Sequence, residues 1–404
     1  MKGKVIGLLK KLVPPRIVSV VEKEPIIPKI AAQALVQSKR NPEFLRLDQG
    51  QILGLFPEIE IPYGPPAGLL RLRELVADYW TLRFSLPFTL EPSNVSITTG
   101  ATEALSILLR IVSPDNKIGI NWIYWSNYKG IIQMGGGKPV VVPFFDPDGN
   151  LTLDKAEEVI LREKIKVLLL NFPANPSGEG LAEEEYRAFA DLARRLDLLI
   201  LSDEVYAGMA YEGRPLSFLE FAPERTIVIG AASKEYLIPG ARVGYVLCAD
   251  QEFTGSWMPK LVRASTSNPN ILGQRRLIEL LEPDVQAMKQ KKEPPLLTRI
   301  RDALKARRDV LITALNDAGI SIRQRRGMAP LGGISVLAWL PEGIEDMTFA
   351  QTALDKGLFS VVPGSAFGAP HGLRIGYGVL NESQIRLFVR TFKTLIEDFR
   401  SVDL

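Results

Sequence analysis

The chain has 404 residues, 46 % hydrophobic and 24 % charged, with a formal net charge of +3. That length is more than one core organises, so two domains are expected, and the balance excludes a disordered or fibrous chain. Lysine and arginine are spread along the sequence, which leaves no basic footprint for nucleic acid.

A single cysteine, Cys248, and a single histidine, His371, rule out an intrachain disulfide, a thiolate zinc centre and a multi-histidine metal site. Acid–base work then falls to a tuned lysine, carboxylate or tyrosine. The cysteine usage fits a reducing compartment, and with no apolar run of membrane-spanning length a cytoplasmic protein is expected.

Residues 1–61 are irregular. Met1–Pro15 reads as a short basic, amphipathic helix that Pro14-Pro15 should stop, and it is expected to pack on its own protein or on a partner subunit rather than on a membrane. A helix over Ile30–Lys39, a strand at Phe44–Asp48 and a loop with Gly50 and Gly54 follow. Tyr63-Gly-Pro-Pro-Ala-Gly then opens a helix over Leu69–Trp80.

Strands and helices alternate from there. Strands are predicted at Val95–Thr99, Lys117–Ile120, Lys138–Pro143, Lys166–Asn171, Leu198–Ser202, Arg225–Gly230 and Val243–Cys248. Helices are predicted at Thr102–Ile111, Tyr128–Met134, Leu153–Glu163 and Glu183–Leu196. This is the pattern of an α/β fold with a mostly parallel sheet sandwiched by helices, and in such a sheet ligands bind beyond the carboxyl ends of the strands. Later come helices over Gln274–Leu281 and Thr298–Asp317 with a solvated lysine-rich joint at Lys289–Pro295. Strands at Gly332–Leu340, Leu358–Val362 and Gly372–Tyr377 complete a smaller α+β unit. The expected division is an N-terminal arm and part of the small domain (1–61), a large domain (62–280) and a C-terminal small domain (281–404).

Residues with chemistry gather at the strand ends. Lys234 follows an apolar strand, where scarce water disfavours the ammonium and makes the amine a nucleophile. Arg242, past the Pro239-Gly240 turn, offers a planar fork to phosphate. Thr99-Gly100-Ala101-Thr102, between a strand and a helix start, aims backbone N–H groups and a hydroxyl at one anion. Asp203 suits a protonated ring nitrogen, and Tyr206 and Asn175 suit an oxygen on that ring. A flat ring would stack on Trp125, with Trp122 and Tyr124 as rivals, and Arg374 would clamp a carboxylate.

These stretches resemble the pyridoxal-phosphate-dependent aminotransferases of class I/II, fold type I, from about Phe44 to the C-terminus. The resemblance rests on Tyr63-Gly-Pro-Pro-Ala-Gly, Thr99-Gly-Ala-Thr-Glu-Ala-Leu, Asn171-Phe-Pro-Ala-Asn-Pro-Ser-Gly, Ser202-Asp-Glu-Val-Tyr, Ser233-Lys-Glu-Tyr-Leu-Ile-Pro-Gly-Ala-Arg-Val-Gly-Tyr and Pro363-Gly-Ser-Ala-Phe-Gly before Leu373-Arg-Ile-Gly-Tyr. It implies a seven-stranded-type sheet, and pyridoxal 5'-phosphate held on Lys234 as an internal aldimine. It also implies that Asp203 keeps the pyridine nitrogen protonated and that Asn175 and Tyr206 bind the ring hydroxyl.

By the same resemblance Gly100, Ala101, Thr102, Ser233 and Arg242 surround the phosphate, Trp125 stacks on the ring, and Gly50 and Arg374 receive the substrate carboxylate. Tyr63 would reach the phosphate of the other subunit, which implies a homodimer with shared sites. Transfer between an α-amino acid and a 2-oxo acid is the activity implied; elimination, decarboxylation, cyclisation or oxygen-dependent oxidation would use the same residues. A ligand-sensing module is a remote alternative. Two departures stand out: Ala231 replaces a hydroxyl-bearing residue, and the loop Leu47–Pro57 lacks the family's Gly-x-Pro-Asp ending.

Overall fold

The computed structural model describes residues 3–22, 26–41, 60–114 and 116–402. The strand expected at Phe44–Asp48, the loop with Gly50 and Gly54 and the Leu47–Pro57 departure lie outside them.

Ten strands are present among the described residues. They are β1 (Val95–Thr98), β2 (Lys117–Ile120), β3 (Lys138–Val141), β4 (Val167–Asn171), β5 (Leu199–Asp203), β6 (Thr226–Ala231), β7 (Gly244–Cys248), β8 (Ser335–Trp339), β9 (Val362–Pro363) and β10 (Gly372–Gly376). The first seven form one sheet in the order β1-β7-β6-β5-β4-β2-β3, parallel except that β7 runs against both its neighbours. The last three form an antiparallel sheet, β8-β10-β9.

The continuous apolar runs of the large sheet follow from burial on both faces. Val167 and Leu169 of β4 point to one core and Leu168 and Leu170 to the other, the two-residue period of a strand. Helices α1 (Lys4–Leu12), α5 (Ala101–Val112) and α6 (Asn127–Met134) cover the first face; α4 (Leu70–Arg83), α7 (Leu153–Glu163), α8 (Glu183–Arg195) and α12 (Ile271–Lys289) cover the second. The small sheet packs with α13 (Pro295–Asp317), α14 (Asp346–Asp355) and α15 (Glu382–Val402) around Phe349, Phe392 and Tyr377.

Helix α1 packs on its own chain. Val5, Ile6 and Leu9 are buried among α5 and the sheet, the Ile6 N–H donates to Asp250 at 3.1 Å, and Lys11 pairs with Asp197. Helix α1 ends at Leu12, ahead of Pro14-Pro15 as expected, and Pro15 then starts a second helix, α2 (Pro15–Glu22), because proline at a first helical position gives up an N–H that has no partner there anyway. By the same rule Pro28 is tolerated near the start of α3 (Ile26–Arg40), four residues earlier than expected.

Helix α12 is longer than the sequence pattern suggested and runs through Pro283. The turn after the proline is held by tertiary bonds: fully buried Asp284 accepts from Leu296 N–H at 2.8 Å, Leu297 N–H at 3.0 Å and the Tyr236 hydroxyl at 3.1 Å. Asp284 thereby caps α13 from another helix, and the lysine-rich joint shrinks to the few residues between them. The segment Phe253–Thr266, for which no helix was expected, is helical and opens with a wide π turn whose Thr254 hydroxyl bonds Ser93 O at 2.7 Å. The strand expected over Leu358–Val362 is reduced to Val362–Pro363, since Phe359 and Val361 turn into the aromatic cluster of α15 instead of pairing.

Two buried ion pairs tie the segment before β8 to the large sheet's surroundings. Arg323 Nε donates to Glu179 at 2.8 Å, and Arg325 pairs with Glu185 while its guanidinium lies 4.0 Å from the Phe145 ring centre. Removing one partner strands a buried charge. Glu179→Ala should therefore lower unfolding free energy by about 3–5 kcal/mol, read as a lower urea midpoint at unchanged slope.

Candidate active site

The carboxyl ends of β4, β5 and β6 and the turn after β1 meet at one cavity of about 190 Å³. Ala101, Thr102, Trp125, Asn175, Asp203, Tyr206, Ser233, Lys234 and Arg242 all line it. Nine residues read from separate stretches are thus brought to one space. Asn171 and Val205 line it as well and were not singled out in the sequence.

The anion end is built by two elements. Gly100 caps α5 with φ +79°, a backbone form suited to glycine, and a Cβ there would sit 2.4 Å from Arg242 Nη2. The Arg242 guanidinium therefore lies directly over Gly100, beside the first N–H groups of α5. Arg242 itself has a left-handed φ of 51° at the turn into β7, and its Nη1 donates to Pro239 O at 3.1 Å. A helix N-terminus, a close-approach glycine and a guanidinium fork make a site for a phosphate-sized dianion.

Across the cavity Asp203 ends β5, in register with Asn171 of β4. Its carboxyl is buried and accepts from the Tyr128 hydroxyl at 2.7 Å. Burial pushes its pKa up to about 6, against the pull of the Tyr128 O–H and the Val205 N–H. Tyr128 is a site-supporting residue that sequence reasoning read only as the start of a helix; nothing in its neighbourhood of sequence points 75 residues ahead. Asn171 donates to Asp203 O at 2.8 Å and accepts from Asn175 N–H at 2.8 Å, so it fixes the loop that carries Asn175. The Asn175 side-chain oxygen is buried without a partner, a costly state that a bound polar group relieves. Burial and the nearby Asp203 push the Tyr206 phenol up.

Lys234 sits in the short helix Ala232–Glu235 that follows β6. Burial, then the positive charges of Arg374 and Arg242, hold its pKa below the ordinary lysine range. Arg374, on β10, is not among the cavity-lining residues but lies close enough to bear on both Lys234 and Tyr206; its guanidinium stands 5.0 Å from the Phe367 ring centre, and among the described residues it has no ion pair. Trp125 meets the Tyr128 ring edge-on at 5.5 Å. Ala231 lines the cavity as well. Tyr63 is 69 % exposed and outside the lining, and Gly50 lies outside the described residues.

The arrangement pairs a nucleophilic amine with one anion-binding end, one buried carboxyl and a second guanidinium. Comparison with known proteins gives the family. The family described as aminotransferase class I and II matches residues 58–392. The chain is similar to the probable aspartate/prephenate aminotransferase of Thermus aquaticus, 30 % identical over 323 residues that cover 80 % of each chain. It is similar to the aspartate aminotransferase of Bacillus subtilis (strain 168), 29 % identical over 322 residues, 78 % of this chain and 79 % of that one. A solved structure of Thermus thermophilus aspartate aminotransferase (tetra mutant 1) superposes with a TM-score of 0.73 at 26 % identity, over 96 % of this chain and 98 % of that chain.

The raised Asp203 pKa has a sign that a stability measurement reads. Its carboxyl holds a proton more tightly when folded, so its contribution is fully present below the ordinary value of 3.8 and is lost as pH rises through about 6. In ligand-free protein Asp203→Asn should therefore raise stability at neutral pH, on the order of 2–3 kcal/mol, and flatten the slope between those two values. Urea melts of both proteins at acidic and neutral pH check it; a variant no more stable at neutral pH contradicts it.

Proposed function

Because the chain belongs to the aminotransferase class I and II family, we infer that the cavity takes pyridoxal 5'-phosphate and that Lys234 binds it through its side-chain amine. The protein is an aminotransferase. Its substrates on this reading are an α-amino acid and a 2-oxo acid, and the relatives named for aspartate make aspartate with 2-oxoglutarate the first pair to try.

One observation carries the assignment: Lys234, with a depressed pKa, opens on the same cavity as buried Asp203 and the Arg242 fork. The residues fit the cofactor's chemistry group by group. The glycine cradle under Arg242, with Ala101, Thr102 and Ser233 beside it, suits a phosphate. The buried Asp203 suits a protonated ring nitrogen, the Asn175 side chain, whose oxygen has no partner, and the Tyr206 phenol suit a ring hydroxyl, and Trp125 offers a flat face.

When bound, the cofactor supplies an electron-withdrawing ring that stabilises charge at the substrate α-carbon. The protein does the rest. Asp203 would face the ring nitrogen of the cofactor and, as the carboxylate, would favour its positive form in a water-poor site. Lys234 would hold the cofactor through its amine and would hold and move the proton of the substrate α-carbon; burial, then the positive charges of Arg374 and Arg242, lower its pKa in the direction that role needs. Arg374 fixes the substrate by a bidentate grip on its carboxylate.

We extend the reading to a homodimer in which Tyr63 reaches the partner's phosphate and the Gly50 backbone meets the substrate carboxylate. The labour divides between a cofactor-binding unit over 62–280 and a smaller unit formed by 281–404 with the N-terminal part. A cytoplasmic location, without nucleic-acid or membrane partners, completes the proposal.

Purified protein should take up pyridoxal phosphate with a visible absorption band, and Lys234→Ala should lose both band and activity; an unchanged spectrum in the variant removes the lysine from its role. With excess amino acid the cofactor should leave as pyridoxamine phosphate with one equivalent of 2-oxo acid, whereas ammonia or peroxide would point to another reaction. Arg374→Ala should lower kcat/KM on the order of 10²- to 10³-fold, chiefly through KM for the amino acid, since a desolvated charge pair is lost.

A further inference from the structure

The residue next to Lys234 carries a buried acid that the cavity does not use. The Glu235 carboxyl points away from the cavity, is 3 % exposed and spends both oxygens on two other elements. Oε1 accepts from the Gly208 N–H at 2.8 Å, and Oε2 accepts from the Tyr79 hydroxyl of α4 at 3.3 Å. Gly208 lies in the tight turn Ala207–Met209, which Tyr206 caps, and Met209 N–H bonds back to Tyr206 O at 2.9 Å.

The other side of the same glycine is also held. Arg83 Nη2, again from α4, donates to Gly208 O at 3.0 Å. Both polar groups of the Gly208 backbone are thus taken by side chains, and no larger residue fits: a Cβ there would sit 2.2 Å from the Tyr79 hydroxyl and 2.6 Å from Glu235 Oε1. The turn after β5 that bears Tyr206 and the turn after β6 that bears Lys234 are cross-linked beneath the cavity by one carboxyl.

We propose that Glu235 is a positioning residue that sets the Lys234 amine and the Tyr206 phenol in their mutual geometry through its bond to the Gly208 N–H. This rests on the reading of Lys234 as the cofactor-binding lysine. Neither oxygen reaches the cavity, so Glu235 acts through the two turns and not on substrate. The titratable groups facing it are Tyr79 and Arg83 from α4, Tyr245 from β7 and Tyr236 beside it.

The test compares Glu235→Ala, Glu235→Met and Glu235→Gln in the full-length protein loaded with pyridoxal phosphate. Glutamine keeps an oxygen for the Gly208 N–H; alanine and methionine do not, and methionine fills the space if alanine fails to fold. Alanine and methionine should lower kcat by about tenfold or more while leaving the amino-acid KM within about twofold, as expected of misplaced rather than lost groups, and glutamine should recover most of the loss. The pH midpoint of the bound cofactor's visible band should move in the first two variants and stay in the third.

In ligand-free protein, hydrogen exchange at the Gly208 amide should quicken by about tenfold in the alanine and methionine variants only. Folded alanine or methionine variants with wild-type kcat, midpoint and exchange would overturn the proposal, as would a glutamine variant no better than alanine. A wild-type protein that takes up no pyridoxal phosphate overturns the reading of the cavity instead, and the exchange measurement then still decides whether Glu235 holds the Gly208 turn.

Discussion

The hydrogen bond from the Tyr128 hydroxyl to the buried Asp203 carboxyl is the interaction on which the rest of the site depends. A carboxylate at the end of a strand buried on both faces is expensive, and a single phenol does not compensate the lost water. Burial pushes the carboxyl up to about 6. Fold and chemistry would be linked at that residue on the proposed reading: the folded chain carries an unfavourable group, and a cationic ring placed against it would offset the deficit.

Around this acid the positive charges are graded by depth. Arg242 sits over a glycine at the rim of the helix α5, Lys234 stands deeper and is weakened by burial, and Arg374 approaches from the second sheet with an aromatic ring at its face. Their mutual repulsion falls mainly on the lysine, since a guanidinium gives up its proton far less readily than an amine. On the proposed reading, three like charges in a small space thus serve as two permanent anion receptors and one adjustable base.

Much of this was legible in the sequence because the relevant signals are local. Short apolar runs bounded by glycine, proline and asparagine marked six of the seven strands of the large sheet to within one residue at each end, and β3 proved two residues shorter than expected. Lys234, Asp203, Asn175, Arg242 and Thr102 stood at run ends, where an α/β sheet places ligands. What stayed hidden is what tertiary structure decides. Tyr128 and Glu235 act on residues far along the chain, and their own windows look like ordinary helix. Pro14-Pro15 ends α1 as expected, but the second helix that Pro15 opens was not foreseen, nor was the extension of α12 through Pro283 that the anchoring of Asp284 allows. The short β9 was overestimated because its alternating apolar residues serve an aromatic cluster rather than a sheet face.

The reversed strand β7 has a structural consequence for how the pocket is assembled. Running against its neighbours, it begins where they finish, so that Gly244 lies opposite both Ala231 and Thr98. The guanidinium preceding it reaches the crowded rim by a short hairpin rather than by a full helical crossover. Amine and guanidinium are consequently neighbours along the polymer as well as in space, joined by a closed loop of a few residues. Sliding that hairpin by one position would invert every side chain of the strand, separating Tyr245 from its hydrogen bond to Trp80 at the same moment as it unseated the guanidinium. Strand pairing and the seating of the Arg242 guanidinium over Gly100 are therefore one and the same choice of alignment.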